Sequence, residues 1–104
     1  MKSNQNIWES LHIDLGKHKE NTRVKVSFKA LVEPDIKKIK VGCKSCTRVL
    51  GFNPETMTLD VIYSIAPIPF HLRVRPYINS RKVIQVFYKD KTNDILTFVT
   101  QVTR

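Results

Sequence analysis

The sequence predicts an all-β domain, a sandwich or barrel of about seven strands. Three observations lead there. Apolar and polar residues alternate over short runs along most of the chain. Pro, Gly and Asn/Asp clusters separate these runs at intervals of roughly 8–14 residues. Helical periodicity is nowhere sustained for three turns, and no internal repeat interrupts the pattern.

The elements follow in order. Within Lys2 to Ser10 only Ile7 and Trp8 are apolar, so residues 1–10 read as a flexible arm and 11–104 as the domain. Trp8 in such an arm is a candidate partner anchor, because indole offers a large contact area at low entropy cost; the alternative is that it folds back on its own domain. Leu11, Ile13 and Leu15 alternate with His12 and Asp14 until Gly16, and a polar turn over 17–21 follows. Val24, Val26, Phe28 and Ala30 alternate with Arg23, Lys25, Ser27 and Lys29, which predicts a half-buried strand with one wet, basic face. Glu33-Pro-Asp35 is a turn. Ile39 and Val41 alternate with Lys38 and Lys40, and Gly42 stops that strand before Cys43-Lys-Ser-Cys46.

Leu50 to Glu55 reads as a loop. Met57, Leu59, Val61, Tyr63 and Ile65 give the cleanest alternation in the chain. After the rigid Ala66-Pro-Ile-Pro69, the alternation of Phe70, Leu72 and Val74 with His71 and Arg73 predicts a further strand ended by Pro76. The last two strands, around Ile84 to Tyr88 and Ile95 to Thr103, are apolar on both faces, with Lys89 to Asp94 as the hairpin loop between them. Val26, Phe28, Leu59, Val61, Tyr63, Leu72 and Val74 form the expected core.

The chain has 104 residues, the size of one domain. No apolar run approaches the roughly 20 residues that span a bilayer, so no membrane partner is expected. The first ten residues lack the apolar stretch of a signal peptide, and two cysteines make no disulfide scaffold; both point to a cytosol-like compartment with reduced thiols. Eighteen Lys and Arg stand against nine Asp and Glu, a net charge of +9. That excess favours an acidic partner, either a protein surface or nucleic acid.

Catalytic patterns are weak. Three glycines leave little room for a phosphate-binding loop. Asp90 and Asp94 flank a hairpin loop and read as turn formers, and His71 stands alone on a wet face. No nucleophile, base and orienting group fall together, so no enzyme and no cofactor are expected. Cys43 and Cys46 allow three readings. A redox pair needs a helix N-terminus, for which the flanking residues give no sign. A zinc site needs two more ligands from His12, His18 and His71. Two small reduced side chains at a strand end are the reading preferred here.

Basic residues gather at Lys38, Lys40, Lys44 and Arg48 and again at Arg73, Arg75, Arg81 and Lys82. Val83, Phe87, Ile95 and Val99 are the apolar residues left over on the outward faces of the last two strands. They predict a surface covered by another protein subunit, with Lys38, Lys40, Arg73 and Arg75 meeting acidic groups at its rim.

The order of elements also resembles a family. Leu11-His-Ile-Asp-Leu-Gly16, the Val24 to Phe28 strand, an Ile/Val strand running into Cys43-Lys-Ser-Cys-Thr47, Leu59 to Tyr63, Val83-Ile-Gln-Val-Phe87 and Ile95-Leu-Thr-Phe98 together resemble the DUF1573 group. That group is related to the ASPM–SPD-2–Hydin and major-sperm-protein-like sandwiches. The resemblance spans roughly residues 11–103. It departs from the pattern at Val32-Glu-Pro-Asp35 and at the spacing of Cys43 and Cys46. It implies an immunoglobulin-like antiparallel β-sandwich acting as a scaffold or adhesion module. Small single-domain versions resemble virion proteins of tailed bacteriophages, which decorate or join capsid, neck or tail. The implied location is a virion or the host cytoplasm, in a homo- or hetero-oligomeric assembly.

Overall fold

The computed structural model describes residues 7–104. Seven strands form two sheets packed face to face: β1 (His12–Lys19), β2 (Arg23–Lys29), β3 (Ile36–Val41), β4 (Thr47–Asn53), β5 (Thr58–Ser64), β6 (Tyr77–Tyr88) and β7 (Asn93–Thr103). One sheet has the order β1-β7-β6-β3 and the other β2-β5-β4. With β1 set aside, this is the strand order of a constant-type immunoglobulin sandwich. β1 has changed sheets and lies parallel to β7, so the sandwich is not wholly antiparallel as expected.

Period-two alternation builds the core. Val26 and Phe28 of β2 and Leu59, Val61 and Tyr63 of β5 point inward, where they meet Ile84 and Val86 of β6 and Leu96, Phe98 and Val102 of β7; all ten are buried. Tyr63 and Phe98 meet edge-on across the two sheets, ring centroids 5.2 Å apart, a favoured aromatic geometry. The Tyr63 hydroxyl is paired with Ser80 Oγ at 2.9 Å, so its burial leaves no polar group unmet.

Three elements differ from the expectation. β4 runs through Leu50 to Asn53, which read as part of a loop. Its ladder to β5 slips between Val49 and Gly51, and Gly51 takes φ +112°, a conformation that side chains oppose. The bulge interrupts the alternation that would have marked the strand. Conversely, 70–74 is not a strand. Phe70–Leu72 is a single 3₁₀ turn, and Val74 is 89% exposed rather than in the core, with Leu72 only partly covered. Pro67, Pro69 and Pro76 surround this segment and withhold the N–H groups that a ladder needs. β1 also runs past Gly16 to Lys19. The ladder shifts there, between Asp14 and Lys17, but does not end.

The expected flexible arm falls partly on residues 1–6, outside the described residues. Residues 7–9 are ordered. The Leu31 N–H donates to the Ile7 carbonyl and the Glu9 N–H to the Lys29 carbonyl, and Trp8 pairs with Ala30 in an antiparallel bridge. This segment pairs with the chain at the end of β2, Lys29 to Leu31, before it crosses to the other sheet as β1.

Candidate interaction surface

The four-stranded sheet has one face on the core and one on solvent. Because Ile84, Val86, Leu96 and Phe98 point in, Val83 and Phe87 of β6 and Ile95 and Val99 of β7 point out. The register puts Gln85 opposite Ile95, Val83 opposite Thr97 and Arg81 opposite Val99. Phe87, Ile95, Val83 and Val99 are therefore successive diagonal neighbours, each directly opposite a polar residue: Asn93, Gln85, Thr97 and Arg81. Ile95 is 52% exposed and Val83 36%, while Phe87 and Val99 are half-buried. The predicted apolar outer set is thus placed on one face and in one row.

β3 frames one end of this row. Lys38 stands opposite Phe87 and Lys40 opposite Gln85, and the Lys40 ammonium lies 5.7 Å from the Phe87 ring centroid. That is a cation–π arrangement. Arg73 and Arg75 do not share this rim. They precede Tyr77, at the other end of β6, about 33 Å away at the rise of an extended strand. Arg73 is also occupied. Its guanidinium donates to both carboxylate oxygens of Glu20, at 2.9 and 3.0 Å, and to the Ile68 carbonyl at 3.2 Å. Glu20 accepts the Ile68 N–H as well, at 2.7 Å. The Arg73 hydrogen bonds, then that of Ile68, hold the Glu20 carboxyl below the usual carboxylate range, and Glu20 in turn raises Arg73. Arg73 is a loop anchor rather than a rim charge, while Arg75 is exposed.

Trp8 is no free anchor in this structure. Its indole is 6% exposed and sits edge-on to Phe52, with centroids 6.4 Å apart. Its Nε1–H donates to the Tyr88 hydroxyl at 2.7 Å, and that hydroxyl donates to Asp94 Oδ2 at 2.7 Å. Burial, followed by the Asp94 hydrogen bond, pushes the Tyr88 hydroxyl far above its ordinary range, which keeps it a donor to Asp94. Ile7 and Trp8, two large apolar residues inside a polar stretch, were the sequence signal for this fold-back. Nothing in the spacing marked Glu20 as the partner of a residue 53 positions away.

Cys43 and Cys46 form a disulfide, which corrects the expectation of two reduced thiols. The Thr47 N–H donates to the Cys43 carbonyl at 3.0 Å and closes a tight turn. The two Cα atoms then lie 5.6 Å apart, within bonding range. Sequence spacing alone does not report that distance. Bonded to each other, the two sulfurs offer no thiolate pair to a metal. Among the described residues no three His, Cys, Asp or Glu side chains converge. His12 pairs through Nδ1 with Thr97 Oγ1 at 2.7 Å, and His18 through Nε2 with the Leu15 carbonyl at 3.0 Å. Asp90 acts within its turn, accepting from the Thr92 N–H and hydroxyl, which hold its carboxyl below the usual range. His71 lies exposed on the 3₁₀ turn. No helix of the described residues is long and apolar enough to cross a membrane. No protein-family model and no curated protein matches the chain.

Proposed function

We propose that this chain is a non-enzymatic structural module that assembles into a larger complex through the outer face of its four-stranded sheet. The diagonal row Phe87, Ile95, Val83 and Val99 carries this reading: four apolar side chains on the outer face, Ile95 and Val83 exposed and Phe87 and Val99 half-buried, framed by lysines at one end. A protein neighbour removes that apolar surface from water, and the lysines set encounter rate and salt dependence. The family resemblance supplies the setting, a subunit of a tailed-phage virion.

Sedimentation of wild type, Phe87→Ala and Lys40→Ala at low and high salt tests the proposal. The wild type is expected to associate. Phe87→Ala weakens association more than Lys40→Ala does, and salt slows it without abolishing it. A second reading, nucleic-acid binding, draws on the net charge and on Lys40 placed over the Phe87 ring. A wild type that stays monomeric at high concentration but retards random DNA at low salt would replace the first reading by the second.

A further inference from the structure

The exposed edge of β3 is a docking place of a different kind. Among the described residues β3 pairs with β6 on one side and has no strand on the other. The Gly42 N–H donates to the Val83 carbonyl at 2.9 Å, which fixes the alternation along the adjoining ladder. From Lys38 to Val41 the ladder is regular. Lys38 and Lys40 therefore turn their backbone groups toward β6, and Ile39 and Val41 turn theirs outward to the open edge.

The side chains at this edge are sorted by face. Lys38 and Lys40 stand on the outer face, and Ile39 and Val41 face the space between the sheets. A groove of about 590 Å³ runs along this edge, lined by Lys38, Ile39, Lys40 and Val41 of β3, by Lys44, and by Thr47 and Val49 of β4. Among the described residues none of Lys37, Lys38, Lys40 and Lys44 has an acidic partner within salt-bridge distance; the three ion pairs involve Lys25, Arg73 and Lys89.

We infer that the β3 edge takes an extended acidic segment of a partner protein as an added strand. The inference rests on reading the chain as an interaction module and adds the chemistry of one partner. Ile39 and Val41 supply main-chain donors and acceptors to the incoming strand. Its alternate side chains fall into two sets. One set enters the groove beside Ile39, Val41 and Val49 and is apolar. The other lies beside Lys38 and Lys40 and is acidic.

The lysines also exclude a competitor. A second copy of β3 on this edge would set lysine against lysine, and like charges on paired strands repel. Edge lysines that block self-pairing select an acidic strand in its place.

A nine-residue peptide alternating Glu with Val or Thr is the probe, with a Lys-for-Glu counterpart as control. Titrated into the isotope-labelled protein, the acidic peptide is expected to shift the amides of Ile39 and Val41 and to slow their hydrogen exchange. Lys38→Glu with Lys40→Glu weakens it tenfold or more, and the basic peptide does not bind. Methylating the peptide nitrogens that face β3 abolishes binding, whereas methylating the opposite set leaves it within twofold. Four results overturn the inference: shifts confined to Val83, Phe87, Ile95 and Val99; indifference to nitrogen methylation; displacement of the peptide by single-stranded DNA at equal concentration; or dimers of the chain through β3. Ile95→Ala separates the two proposals. Ile95 lies on β7, with β6 between it and β3, so the change weakens assembly through the outer face and leaves peptide binding at β3 unchanged.

Discussion

Tyr88 shows how much one side chain can hold together. Its hydroxyl accepts from Trp8 and donates to Asp94, and among the described residues it is the sole polar partner of the indole N–H. Tyr88→Phe keeps the ring and removes both bonds. The buried Trp8 N–H is then left unmet, and the expected loss is about 1–3 kcal/mol. A lowered denaturant midpoint with an unchanged slope in urea, together with a shift in Trp8 fluorescence, is the measurement. A midpoint equal to wild type would mean that water replaces the hydroxyl. At this scale the sequence was legible where burial follows alternation. Val26, Phe28, Leu59, Val61 and Tyr63 all lie in the core as their spacing implies. Trp8, Cys43 and Arg73 were not, because each is placed by a partner that pattern does not reveal: the Tyr88 hydroxyl, the second sulfur and Glu20.

Among the elements, the connection from β5 to β6 is the least expected. It carries the alternation of a strand but is held as a loop by Glu20, which grips Arg73 and the Ile68 N–H together while Ile68 packs into the core. The same anchor leaves Phe70 91% exposed. The lowered pKa of Glu20 gives the anchoring a direction in pH. A carboxyl depressed in the folded state contributes fully above its ordinary pKa of about 4.3 and loses that contribution as pH falls through the lowered folded value. Hydrogen exchange at the Ile68 amide is the readout. Protection is expected at neutral pH and is lost in acid, with the two sheets protected to lower pH. Glu20→Gln should show weakened protection of Ile68 already at neutral pH; undiminished protection would remove Glu20 as the anchor. Alternation alone misplaced this element because period two reports which side chains share a face, not whether a neighbouring strand is present to pair with. β4 failed in the opposite sense. It has the neighbour, but its bulge at Gly51 breaks the period.

For the whole molecule, the first strand joins both sheets: residues 7–9 pair with the chain at the end of β2, and β1 then lies along β7. The parallel sense of that second pairing has a mechanical consequence. Tension entering at the start of β1 and leaving from the end of β7 reaches the ladder from opposite ends. The six paired positions between His12–Thr97 and Lys19–Thr103 then carry the load side by side, in shear, instead of opening one after another. Tyr77 and Thr103 are directly opposed on antiparallel strands, so handles placed there peel β6 from β7 one bond at a time. Single-molecule pulling through residues 7 and 104 is therefore expected to need a higher force than pulling through residues 77 and 103, although the equilibrium stability is the same in both experiments. Equal forces in the two geometries would show that the ladder at β1 gives way at its bulge before it shares the load. A domain loaded in this way resists being drawn apart along its own chain, which suits a part through which a larger assembly transmits strain.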